Sequence, residues 1–139
     1  MTKDEKDLLL KDISARLPYG AKAYVRHYSK LDRKWYEGIY TIGSACPRTN
    51  EIYVASETGS VDVLVGYDDF EIKPYLFPLS SMTEEQKEEH KDLLDNQYLS
   101  FDANGNLFTL QDFYCKYHLD YRGFIPDGLA EDATGKNIY

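Results

Sequence analysis

Cysteine is scarce in this sequence, tryptophan scarcer, and a long apolar run is absent. The two cysteines, Cys46 and Cys115, make no disulfide framework, so reduced thiols in a cytoplasmic setting are the simpler expectation. No stretch approaches the roughly eighteen consecutive apolar residues of a membrane-crossing helix, and no membrane partner is expected. The opening MTKDEKDLLLKDI lacks the cationic segment, apolar stretch and cleavage site of an export signal. Catalytic fingerprints are missing too: there is no C-x-x-C, H-E-x-x-H, G-x-S-x-G or dinucleotide glycine motif. Gly43-Ser44-Ala45-Cys46 lacks the lysine and glycine spacing of a phosphate loop. These gaps leave no catalytic residue, cofactor or metal to name.

Cations are short in one half only. Residues 1–66 hold ten Lys/Arg against nine Asp/Glu, whereas residues 67–139 hold six against fifteen, so the net charge of −8 belongs to the second half. Such acidity disfavours nonspecific capture of nucleic acid while leaving room for a local patch on the first half. With 42% hydrophobic and 29% charged residues, the chain has the profile of one globular domain with a single core.

What is present reads as α+β. Thr2 and Glu5 have capping-box spacing, and Leu9, Leu10, Ile13 and Leu17 form an apolar stripe, which predicts a helix to about Arg16. Pro18 and Gly20 stop it. Five short strand patterns follow, at 21–28, 34–42, 50–56, 60–66 and 70–73, with Gly38 a candidate bulge and ETGS a turn between the third and fourth. They predict a small five-stranded curled antiparallel sheet or SH3/OB-like barrel. Pro74 and Pro78 are expected to end the last strand. Ser81 with Glu84, and Thr83 with Gln86, both have capping-box spacing ahead of a helix to about Leu94. FDANGNLF reads as a turn or hairpin tip, and Thr109 caps a final helix over LQDFYCKYH with a Phe108–Phe113 staple. The expected division is helix plus sheet in 1–73, a hinge in 74–80, two or three helices in 81–130, and a fraying polar tail in 131–139.

IKPYLFPLSSMTEE, followed after a helix by FYCKYHLDYRGFIPDGLA, resembles uncharacterised proteins encoded in gut Bacteroides genomes, often within prophages or mobile elements. The likeness covers roughly residues 70–130, with LLLKDISARLPYG also similar and the sheet region divergent. It implies a bacterial or phage, cytoplasmic origin. It implies no activity and carries over no functional residue.

Three local clusters bear on chemistry. Cys115 and His118 share a helix surface, but a zinc site needs two further ligands and only distant Cys46, His27 and His90 remain; no metal is expected. Asp102, Asn104 and Asn106 imitate the start of a calcium loop, yet glycine falls at the fourth position and Phe113 at the twelfth, so a polar turn is the better reading. Around one predicted hairpin, Arg26, Lys30, Arg33 and Lys34 interleave with Tyr28, Trp35 and Tyr36, a mixture suited to phosphates and stacked bases. Downstream, Glu84, Glu85, Glu88 and Glu89 make one helix acidic, either a docking surface for a basic partner or a solubilising face.

The leading expectation is therefore a non-enzymatic accessory or protein-interaction protein of phage or mobile-element origin, with a protein partner or self-association. The alternatives are a small nucleic-acid-binding module using Arg26, Lys30, Arg33, Lys34 and Trp35, and an enzyme of unrecognised type.

Overall fold

The computed structural model describes residues 1–139. In chain order its elements are α1 (Lys3–Arg16), β1 (Lys22–Ser29), β2 (Lys34–Cys46), β3 (Glu51–Ser56), β4 (Gly59–Leu64), β5 (Phe70–Leu76), α2 (Glu84–Asp95), β6 (Leu99–Phe101), β7 (Leu107–Thr109), α3 (Leu110–Lys116) and β8 (Glu131–Asp132). No helix is long and apolar enough to cross a membrane.

α1 starts where its cap dictates. Thr2 Oγ1 accepts the Glu5 N–H at 3.1 Å, and the Glu5 carboxylate accepts the Thr2 N–H at 2.9 Å. Leu9, Leu10 and Ile13 are fully buried against the sheet. Pro18 then sits in a 3₁₀ turn, and Gly20 closes it at φ +69°, a conformation glycine takes without steric cost.

The sheet runs β4-β3-β2-β1-β5-β8. All pairs are antiparallel except β5–β8. Alternation sends Ala23, Val25, Ile42, Ile52, Val54, Val63 and Ile72 to the α1 side, where Leu76, Phe124 and Ala130 complete the core. Truncating one of its large aliphatics to alanine costs ~2–5 kcal/mol.

Several expectations need correction. The sheet has six strands rather than five, because the supposed tail supplies β8. It is also not a closed barrel: β4 and β5 approach each other without pairing. β5 does not stop at Pro74 but continues to Leu76, with Pro74 opposite Ala23. Backbone groups of alternate residues point the same way, so the Pro74 nitrogen faces the edge to which the Leu76 carbonyl is directed. That carbonyl accepts the Ala133 N–H, and β8 pairs only with Tyr75 and Leu76. Proline therefore costs no ladder bond to β1. The bulge lies at Gly43, between Ile42 and Ser44, whereas Gly38 pairs in register with Val25. A Cβ on Gly43 would meet the Tyr53 ring at 2.8 Å, so this glycine permits a close approach.

The tail packs onto the body. Ala133 and Ile138 are buried with Tyr75, and the Tyr139 hydroxyl accepts the Lys22 N–H and donates to the Tyr75 carbonyl, both at 2.9 Å. The hinge is equally anchored: Phe77 N–H donates to the His118 carbonyl at 2.7 Å, and its own carbonyl accepts the Asp120 N–H at 2.8 Å. α3 ends at Lys116 rather than His118, which takes a left-handed φ of +56° as the chain turns toward the hinge.

Candidate interaction surfaces

The β1–β2 hairpin divides the expected basic-aromatic set. Register puts Tyr24, Arg26, Tyr28, Trp35, Glu37 and Ile39 on the outer face. There the Arg26 guanidinium lies 4.1 Å from the Trp35 ring centroid, and Tyr28 stands 5.4 Å from the same tryptophan. Lys30 and Arg33 sit in the connecting turn, Arg33 at φ +55°, and exposed Lys30 approaches Asp69 at 3.9 Å. Lys34 pairs with Ser29 and belongs to the opposite face from Trp35. Carboxylates break the basic track: Glu37 and Glu71 flank Arg26 in register, and Asp32 accepts a hydrogen bond from Tyr36. Glu37 also accepts the Tyr24 hydroxyl at 2.7 Å; burial and then this bond push that phenol up to about 12. Arg26 and Trp35 thus meet, whereas the four cations do not line one surface. A depression of about 310 Å³ between β4 and β5 includes Arg26, Trp35, Tyr67 and Lys73 in its lining.

α2 is capped by Thr83 with Gln86, at 3.1 and 3.0 Å, rather than by Ser81 with Glu84. Ser81 is spent on a 3₁₀ turn, where its hydroxyl donates to the Pro78 carbonyl. Glu84, Glu85 and Glu88 face solvent, Glu84 beside Lys87 at 3.3 Å. Glu89 is different: half-buried, it accepts the Tyr117 hydroxyl at 2.8 Å, tying α2 to α3. His90 stacks on Phe113 and bonds Tyr114 at 2.9 Å, and Leu93 is buried beside Phe113 and Leu119. The acidic helix therefore has one docked face and one free face.

The chain leaves α2 under strain. Gln97 and Tyr98 both have positive φ, 59° and 70°, which L-residues adopt at a cost of about 1–2 kcal/mol each. Tyr98 is held there by its N–H to the Leu93 carbonyl at 2.7 Å and by its carbonyl accepting the Leu110 N–H at 3.0 Å. The β6–β7 hairpin follows, with Leu99 opposite Thr109, Ser100 opposite Phe108 and Phe101 opposite Leu107. Its turn is built on Asp102, whose carboxylate accepts the Asn104 and Asn106 N–H groups at 2.9 Å each. Those bonds, Asn106 foremost, hold the carboxyl below its ordinary range. Phe108 faces the body, packing on the Leu93–Phe113–Leu119 cluster, while Leu99, Phe101 and Leu107 share the outward face. Phe101 is 72% exposed. Of the fifteen large apolar side chains open to solvent, five (Leu94, Tyr98, Leu99, Phe101 and Leu107) lie in residues 94–107. Three of them, Leu99, Phe101 and Leu107, lie on one face of the ribbon and form a patch.

The sequence reading passed over this patch. FDANGNLF was legible as a turn, but the alternation Leu99-x-Phe101 before it and Leu107 after it was the sign of an amphipathic ribbon. It also passed over a buried charge cluster. Asp12 and Arg16, both wholly buried, bond at 2.7 and 3.2 Å; Asp12 also accepts from Arg122 at 2.9 Å, and Arg16 donates to the Leu119 carbonyl at 2.7 Å. Asp12 and Arg16 fall three residues after Leu9 and Ile13, on the apolar stripe, which was the available signal.

Cys115 and His118 are not poised as nucleophile and base. Burial raises the Cys115 thiol to about 11 and lowers His118 to about 4, the latter helped by the charges of Arg16 and Lys22. His118 instead stacks on Tyr139, ring centroids 3.5 Å apart.

No protein-family model, curated protein or solved structure matches this chain.

Proposed function

We propose that this chain is a non-enzymatic accessory or protein-interaction protein, of phage or mobile-element origin. The origin rests on the likeness of residues 70–130 described above. The function rests on one observation: the outward β6–β7 face gathers Leu99, Phe101 and Leu107 in solvent, on a ribbon whose first strand packs against the acidic helix α2. Apolar side chains so grouped gain free energy only when something covers them. The test is crosslinking in bacterial cells carrying the gene. Lys87, Lys91 and Lys116 should report crosslinks to one recurrent protein in the native chain, and these should vanish in Phe101→Ser. A chain that crosslinks to nothing in both forms overturns the reading.

A second reading has its own support. Trp35 is exposed, stacked by Arg26 and neighboured by Tyr28, which suits the face of an unpaired base. This reading treats the curled sheet as a small barrel of SH3- or OB-like size, left open between β4 and β5. Oligonucleotide binding at low salt should then weaken steeply as salt rises, and Arg26→Ala with Trp35→Ala should abolish it. Absence of binding to single-stranded DNA or RNA at low salt removes this reading.

A further inference from the structure

Resting on the interaction reading, we infer that the β6–β7 face takes a partner segment in which apolar side chains are flanked by lysine or arginine, not a second copy of this chain. Charge supplies the argument. α2, which packs against β6, carries six carboxylates (Glu84, Glu85, Glu88, Glu89, Asp92 and Asp95) against Lys87 and Lys91, and the depression beside Phe101 is lined by Glu89 and Asp102 with one cation, Lys116. Two copies meeting through this face would bring these acidic surfaces together. A cationic rim on the partner removes that repulsion and adds attraction that guides encounter.

The backbone agrees with an occupied role. A two-stranded ribbon with three residues per strand is marginal by itself in water. Here it is also reached through two strained residues, Gln97 and Tyr98, and is held to the body by Phe108, by the bonds of Tyr98 and by the Thr109 cap of α3. Strained, thinly supported elements are drawn disproportionately from functional surfaces.

The experiment uses the full chain and three synthetic peptides of equal length: alternating leucine–lysine, alternating leucine–glutamate, and lysine–serine. Binding is read by fluorescence anisotropy of the labelled peptide, and self-association by sedimentation velocity. The leucine–lysine peptide should bind, and the other two should bind at least about tenfold more weakly. Phe101→Ser and, separately, Glu88→Lys with Asp95→Lys should each weaken it by a similar factor. All these positions are exposed, and a circular-dichroism melt confirms that the variants fold. Leucine–glutamate binding as tight as leucine–lysine binding, or a dimer that Phe101→Ser dissolves, overturns the partner chemistry while leaving an interaction surface in place. Leucine–lysine binding that ignores Phe101→Ser overturns the inference as well. If the cellular crosslinks ignore that variant too, the interaction reading falls with it.

Discussion

Arg16 lies one helical turn after Asp12, and both are shut away from solvent with their charges facing each other at 2.7 Å. Arg122 reaches the same carboxylate from the far end of the chain, so one aspartate joins α1 to the segment after α3. Burying such a cluster is costly, and its contribution is better described as fixing which parts dock than as net stability.

Removing one member should therefore hurt more than removing the pair. Asp12→Ala leaves the buried Arg16 guanidinium uncompensated, with an expected loss of ~3–5 kcal/mol in urea unfolding. Asp12→Leu combined with Arg16→Met should recover part of that loss, because neither wholly buried charge then remains, while Arg122, which loses its carboxylate, keeps a route to solvent. A single Asp12→Ala variant within about 1 kcal/mol of the native chain would show the cluster to be energetically idle.

Thiol labelling should separate the two cysteines. Cys46 is exposed, and hydrogen bonding from Thr49 lowers its pKa. Cys115 is buried with its thiol at about 11, so about a thousandth of it is thiolate at pH 8 even before access is considered. Iodoacetamide at pH 8 should modify Cys46 alone, with Cys115 reacting only after addition of denaturant. Mass spectrometry of the native chain showing equal labelling would contradict the burial of α3.

Local signals carried the fold further than the site. Capping residues and apolar periodicity located α1, α2 and α3 because those signals act within one or two turns of helix. Thr83 prevailed over Ser81 because the Ser81 hydroxyl was already engaged by Pro78, a contact that spacing alone does not reveal. The sixth strand escaped because Glu131-Asp132 has no strand pattern of its own; it pairs only because Phe124 and Ala130 bring it beside β5. Pro74 looked like a terminator since the sequence does not say which edge its nitrogen will face. Likewise, the basic run at 26–35 looked continuous until register assigned Lys34 and Trp35 to opposite faces.

Acid should expose the role of His118. Its ring stacks on Tyr139, Nδ1 is buried without a partner, and Arg16 and Lys22 are the nearby cations. The folded-state value of about 4 lies below the ordinary 6.5. Between those two pH values the unfolded chain takes up a proton that the folded chain refuses, so stability falls as pH drops through that window. Above 6.5 both states are neutral at this site and its contribution is flat; below 4 both are protonated and it is flat again. Acids such as Asp102 and Asp132, held low by their hydrogen bonds, lose their own stabilisation only nearer their ordinary value of 3.8. His118→Asn isolates the imidazole, because asparagine tolerates the left-handed backbone and does not titrate. The variant should be the less stable form at pH 7.5, having lost the stack on Tyr139, and the gap in urea midpoint should narrow steadily from pH 6.5 to 4.5. Midpoints that run parallel across that range would mean that His118 is protonated as easily in the folded chain as outside it, and that the Tyr139 strap does not seal it from water.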